Sequence, residues 1–116
     1  MNQESNRQIA YKILEEEDRA DAIFAMIDPV AVEVMLILKE KGIKIPEEIA
    51  LAGFTNNPTS AVVEPSLTTV SQPGYEMGQI AANHLLDQLD DIVSDEPQSF
   101  VLSTTLIPRN STLKIK

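Results

Sequence analysis

Two places in the sequence put hydrogen-bonding side chains where they could hold a small molecule. Asp28 follows the apolar run Ala22 to Ile27, and Thr55-Asn56 follow the apolar run Ile49 to Phe54. A carboxylate accepts hydrogen bonds from ligand hydroxyls, while a hydroxyl and an amide both accept and donate. Such groups at the mouth of an apolar framework are typical of ligand sites. Each residue also has a plainer reading. Asp28-Pro29 suits a helix start, with Asp as N-cap and Pro in the first turn. Thr55-Asn56-Asn57-Pro58 suits a turn. The readings are compatible, because a capping carboxylate keeps a lone pair for a ligand.

Signals for catalysis are absent. The sequence has no Gly-rich phosphate loop, no HExxH and no G-x-S-x-G. His84 is the only histidine and shares a helical stripe with Met77, Ile80, Ala81, Leu85, Gln88, Leu89 and Ile92. One isolated titratable group makes no catalytic or metal constellation, so it reads as a structural histidine. The acidic groups Glu15-Glu16-Glu17-Asp18, Asp90-Asp91 and Asp95-Glu96 read as solvated faces. Asn110-Ser111-Thr112 matches a glycosylation sequon, a motif short enough to recur by chance. No catalytic residue, metal ligand or cofactor is expected, and the chain does not read as an enzyme.

Composition narrows the class further. The 116 residues are 43% hydrophobic and 23% charged, enough for one folded core and too little for two. Nine basic against eighteen acidic residues give a formal charge of −9, which repels phosphate backbones. There is no cysteine, which removes disulfides and thiol chemistry and is compatible with a reducing cytosol. No apolar run approaches a membrane span, and Met1 to Arg7 lacks the apolar stretch of a signal peptide.

The elements that must position these groups follow from periodicity. Ser5 to Glu17 predicts an amphipathic helix, with Ile9, Ala10, Ile13 and Leu14 in one stripe and Ser5 as N-cap. Ala22 to Ile27 predicts a strand buried on both faces. A second helix is expected from Asp28 to about Lys41, closed by Gly42. It is apolar on nearly all sides from Val30 to Leu38, so it needs two partners: its own sheet and, we expect, another subunit. Ile49 to Phe54 predicts the next strand, Ser60 to Val63 a helical turn, and Leu67 to Val70 a short strand. Tyr75 to Asp91 predicts a third helix, Ser94 to Ser99 an acidic loop, and Phe100 to Ile107 a last strand. Helix and strand alternate with short connections, which implies an α/β fold with a parallel sheet and right-handed crossovers. Ligands of such sheets lie beyond the carboxyl ends of the strands, here Asp28 and Thr55 to Asn57.

Five segments, in this order and spacing, resemble the effector domain of the lactose/galactose repressor family. They are Asp21 to Ala25 followed by Asp28 and Ala31; Lys41 to Phe54; Pro65 to Pro73; Glu76-Met77-Gly78 with Ala81-Ala82 and Leu85-Leu86; and Thr105 to Thr112. The resemblance spans almost the whole chain. It implies a three-layer α/β/α architecture of the periplasmic binding protein-like type, of which residues 1–116 would be the C-terminal portion. Residues 1–70 and 100–116 would belong to the C-subdomain, and 71–99 would dock on an N-subdomain not included here. The family's ligand contacts fall on Asp28 and the positions after Gly53-Phe54, here Thr55 and Asn56. Many members have Asn-Asp where this chain has Ile27-Asp28, and Gly-Phe-Asp-Asn where it has Gly53-Phe54-Thr55-Asn56. A ligand-gripping carboxylate is thus replaced by a hydroxyl.

The resemblance further implies a transcriptional regulator, a repressor, that senses a small carbohydrate-like effector in the cytoplasm. It would act as a homodimer and would touch DNA only through an N-terminal helix-turn-helix outside this sequence. Dimerisation in the family uses the C-subdomain, so Val30, Val34, Met35, Leu38, Ser60 and Val63 are the expected interface. The alternative is part of an exported solute-binding protein for transport, which shares the fold. The Leu67-Thr68-Thr69-Val70 and Arg109-x-Ser111-Thr112 signatures favour the regulator.

Overall fold

The computed structural model describes residues 3–92 and 96–113. They form two compact units. One takes the chain up to Ser71 and again from Leu106; the other is Gln72–Thr105.

The larger unit opens with helix α1, Gln3–Glu15. Its inward face is Asn6, Ala10, Ile13 and Leu14, whereas Ile9 is exposed. The expected stripe is therefore rotated by one position. Asn6 takes the inner place because its side-chain amide donates to Glu33 Oε2 at 2.6 Å on the second helix. Ser5 lies inside α1 and does not cap it.

Strand β1, Ala22–Phe24, pairs in parallel with strand β2, Ala50–Ala52, in the register Ala22 to Ala50 and Phe24 to Ala52. Beyond the pair, Gly53 N–H donates to Thr68 O and Thr55 N–H to Val70 O, which carries the ladder on to strand β3, Thr69–Ser71. Strand β4, Thr105–Ile107, pairs with β3. Among the described residues β1 has a neighbour on one side only. Phe24 is accordingly 62% exposed, and the expectation of a strand buried on both faces is not met.

Between the first two strands runs helix α2, Asp28–Glu40, with Pro29 in its first turn. It ends in a Schellman motif: Gly42 at φ 72 donates to Lys39 O and Ile43 donates to Leu38 O. Ala31, Val34, Met35 and Leu38 pack with Ala25, Ile49, Leu51 and Leu67 into one buried cluster. Each large aliphatic side chain so buried contributes about 1.5–3 kcal/mol. The second partner expected for this helix is α1, from the same chain. A short 3-10 turn, Pro58–Ala61, follows β2 and is capped by the Asn57 side chain, which accepts from Thr59 N–H.

The smaller unit holds helix α3, Gly74–Leu89. None of its residues is buried, and Tyr75, Leu85, Leu86 and Leu89 are exposed. His84 meets Phe100 edge to face at 5.5 Å, which makes it a packing residue. Met77, Ile80, Ala81, Phe100 and Leu102 line an apolar hollow of about 400 Å³. The last strand is shorter than expected, because residues 100–104 carry no ladder. Of the expected acidic loop, residues 94 and 95 lie outside the described residues.

Candidate functional site

The carboxyl ends of β1 and β2 meet where Asp28 N–H donates to Phe54 O at 3.0 Å. Asp28 is not the N-cap of α2. Ile27 holds that position in extended conformation, without a side-chain cap, and Asp28 is the first helical residue. Its carboxylate turns inward and is 1% exposed. Oδ1 accepts from Thr69 Oγ1 at 2.7 Å; Oδ2 accepts from Ser60 Oγ at 2.6 Å and from Asn57 N–H at 2.7 Å. One side chain thus ties the start of α2 to the 3-10 turn and to β3. Burial without these three partners would be costly; with them every oxygen is used.

Gly53 makes room for this arrangement. A Cβ there would collide with Asp28 Oδ1 and approach Leu67 Cδ2 to 3.2 Å. After Phe54 the chain turns out of the sheet with positive φ at two residues, Thr55 at 116° and Asn56 at 52°. Asn56 tolerates this; a β-branched residue does not, and such strain costs about 1–3 kcal/mol. The loop is held despite it: Thr55 N–H bonds Val70 O, Asn56 N–H bonds Thr69 Oγ1 at 3.1 Å, and Asn57 N–H bonds Asp28. Thr55 is exposed and Asn56 half-buried. Of the three residues expected to hold an effector, two are therefore accessible and one is sealed.

A second network joins the Leu67 to Val70 and Arg109 to Thr112 segments. Thr68 N–H donates to Ser111 Oγ at 2.9 Å, and Ser111 Oγ donates to Leu51 O. Arg109 N–H donates to Thr68 Oγ1 at 2.8 Å. The Arg109 guanidinium donates to Leu67 O at 3.0 Å and to Asn56 Oδ1 at 3.2 Å. Ser111 is fully buried, so the sequon serine is a structural link. Sequence reasoning did not assign roles to Thr69, Gly53 or Ser111, and it placed Ser60 at a dimer surface instead of against Asp28. Their signal was their place in the resembling segments, which gave no partner for any of them.

The expected dimer residues are placed differently from expectation. Val34, Met35 and Leu38 belong to the core cluster, and Ser60 is buried against Asp28. Their side chains have no surface left to offer a second chain. Val30 and Val63 are half-buried beside the core. The outward apolar residues of the same stretch are Leu36 and Val62, 57% and 80% exposed. Among the described residues no cluster of metal-ligating side chains occurs, and no helix is long and apolar enough to cross a membrane.

Parallel strands alternate with helices, with a turn of polar residues at their carboxyl ends, in an α/β fold. Residues 2–112 match the periplasmic binding protein-like domain family. The chain belongs to that family, and its relatives include transcriptional regulators of the lactose/galactose-repressor type. It is 37% identical over 105 residues to the transcriptional repressor PurR of Vibrio atlanticus strain LGP32, covering 90% of this chain and 31% of that protein. It is 34% identical over 111 residues to the operon regulator NtdR of Bacillus subtilis strain 168, covering 96% and 34%. A LacI-family regulator from Enterococcus faecalis V583, solved with bound ribose, superposes with a TM-score of 0.84 at 33% identity, covering 100% of this chain and 42% of that one. The chain thus spans about a third of the length of the curated relatives.

Proposed function

We propose that this chain is the ligand-sensing and dimerisation part of a repressor-type transcriptional regulator that responds to a small carbohydrate-like effector. The observation that carries this reading is the pinned loop at the strand ends. Asp28 and Thr69 fix the backbone of Asn56 and Asn57, and the loop presents Thr55 and Asn56 outward where open α/β sheets take ligands. The ribose bound by the Enterococcus faecalis relative supports a sugar-like effector. Asp28 acts here as the anchor of the effector loop and not as a direct ligand. Contact with DNA belongs to parts of a full-length regulator outside these residues, since a charge of −9 opposes it here. Residues 72–105 are the segment that meets the remainder of such a protein. A homodimer forms through the outward side of α2 and the turn after β2, with Leu36 and Val62 as its exposed apolar residues. The setting is the cytoplasm.

The test is a titration of the ¹⁵N-labelled chain with a panel of sugars and glycosides, followed by amide shifts. Shifts concentrated at Ile27, Thr55, Asn56 and Asn57 support the assignment. A panel that leaves these four amides unmoved at millimolar ligand overturns it.

A further inference from the structure

Two neighbouring residues at the strand ends each break a local rule of stability. Ile27 occupies the N-cap of α2, a position where Ile is among the poorest residues, and its apolar side chain is 45% exposed. Thr55 is β-branched at φ 116. Each is the third residue beyond the Phe24–Ala52 pair, and the backbone bond from Asp28 N–H to Phe54 O joins the two segments beside them. Local choices that cost stability with no structural return cluster at functional sites.

The chemistry of this pair differs from that of a site for free sugars. Vicinal hydroxyls are held best by a carboxylate, which accepts from both at once. The carboxylate at these strand ends is Asp28, and it is buried with its oxygens already bonded within the chain. What faces outward is one hydroxyl on Thr55 and the aliphatic side chain of Ile27, next to the half-buried Asn56, whose Oδ1 accepts from Arg109. A sugar hydroxyl laid against Ile27 would lose its water without gaining a partner. An apolar ring laid there would gain contact.

Resting on the ligand-sensing role above, we propose that Ile27 and Thr55 form a specificity surface that selects a glycoside bearing an apolar ring substituent over the free sugar. The sugar's hydroxyls meet Thr55 and Asn56, and the ring substituent covers Ile27.

Adenosine against D-ribose, and phenyl β-D-glucoside against D-glucose, give two matched pairs for amide-shift titration of the full chain. In at least one pair the ring-bearing member should bind roughly tenfold tighter, the scale expected when apolar contact separates two ligands. The variant Ile27→Asn/Thr55→Asp should narrow or reverse that preference. It is compatible with folding, because Asn is a good N-cap and Asp accepts positive φ better than Thr. Free sugars binding as tightly as their glycosides at the strand ends would overturn the specificity surface and leave the ligand-sensing role standing. If no ligand moves these amides, both fail together. A preference that the double variant leaves unchanged would also overturn the assignment, because Ile27 and Thr55 would not be its source.

Discussion

The Asp28 carboxylate and the Thr69 hydroxyl, 41 positions apart, meet at 2.7 Å in the interior of the larger unit. Thr69 also accepts from Asn56 N–H, so the two residues hold the loop that follows β2 from below. Asp28→Ala would leave the Thr69 and Ser60 hydroxyls and Asn57 N–H buried without an acceptor. At about 1–3 kcal/mol for each such group the loss approaches the whole stability of a small domain. Urea denaturation should show Asp28→Ala largely unfolded in buffer. Asp28→Asn keeps one acceptor oxygen and should lose about half as much. A fully stable Asp28→Ala chain would contradict the hub.

Gly53→Ala tests the same contact from the other side. The new methyl would press on Asp28 Oδ1 and on Leu67. Overpacking of this kind costs about 1–3 kcal/mol. Thermal unfolding should show a clear drop in midpoint, and an unchanged midpoint would mean that Asp28 has room to move aside.

Thr55→Gly should act in the opposite direction. Glycine adopts φ 116 freely, so the strain is relieved, while part of the gain is returned as chain entropy. We expect stabilisation of about 1 kcal/mol, read as a higher midpoint in denaturant, together with weaker ligand binding. Ile27→Asn should likewise stabilise the chain, by about 1 kcal/mol, by giving α2 the side-chain cap it lacks.

Ser111→Ala removes the acceptor of Thr68 N–H and the donor to Leu51 O in one step. Both partners are buried backbone groups, and a loss of about 2–4 kcal/mol is expected. Hydrogen exchange should report it locally, with faster exchange at Thr68 as the diagnostic sign.

Self-association separates surface from core on α2. Leu36→Glu changes an exposed residue and should lower the mass seen by light scattering across a dilution series, with the circular dichroism spectrum unchanged. Leu38→Glu places a charge in the core cluster and should unfold the chain. If Leu36→Glu and the parent have the same mass at every concentration, the dimer surface lies elsewhere.

How much of this was legible in the sequence depended on whether the deciding force was local. The alternation of helix and strand, the Pro29 start and Gly42 stop of α2, and the parallel pairing of β1 with β2 follow from periodicity and turn chemistry. Ile9 and Asn6 exchanged places on α1 because a hydrogen bond to Glu33, 27 residues away, outweighs the apolar pattern. The all-apolar face of α2 was read as a demand for a second subunit because nothing local says that α1 folds back to cover it. Asp28 shows the same limit. Its type and position at a strand end were visible, but its direction was set by Ser60 and Thr69, whose approach only the folded sheet determines.

The Ser111 lock has a consequence for synthesis of the chain. Leu51 and Thr68 are made long before residue 111, yet both wait for it to complete their backbone hydrogen bonding. While the ribosome has still to release that segment, the nascent protein carries a sheet with part of β2 unlatched. The larger unit therefore closes only after residue 111 has emerged, 60 positions after Leu51.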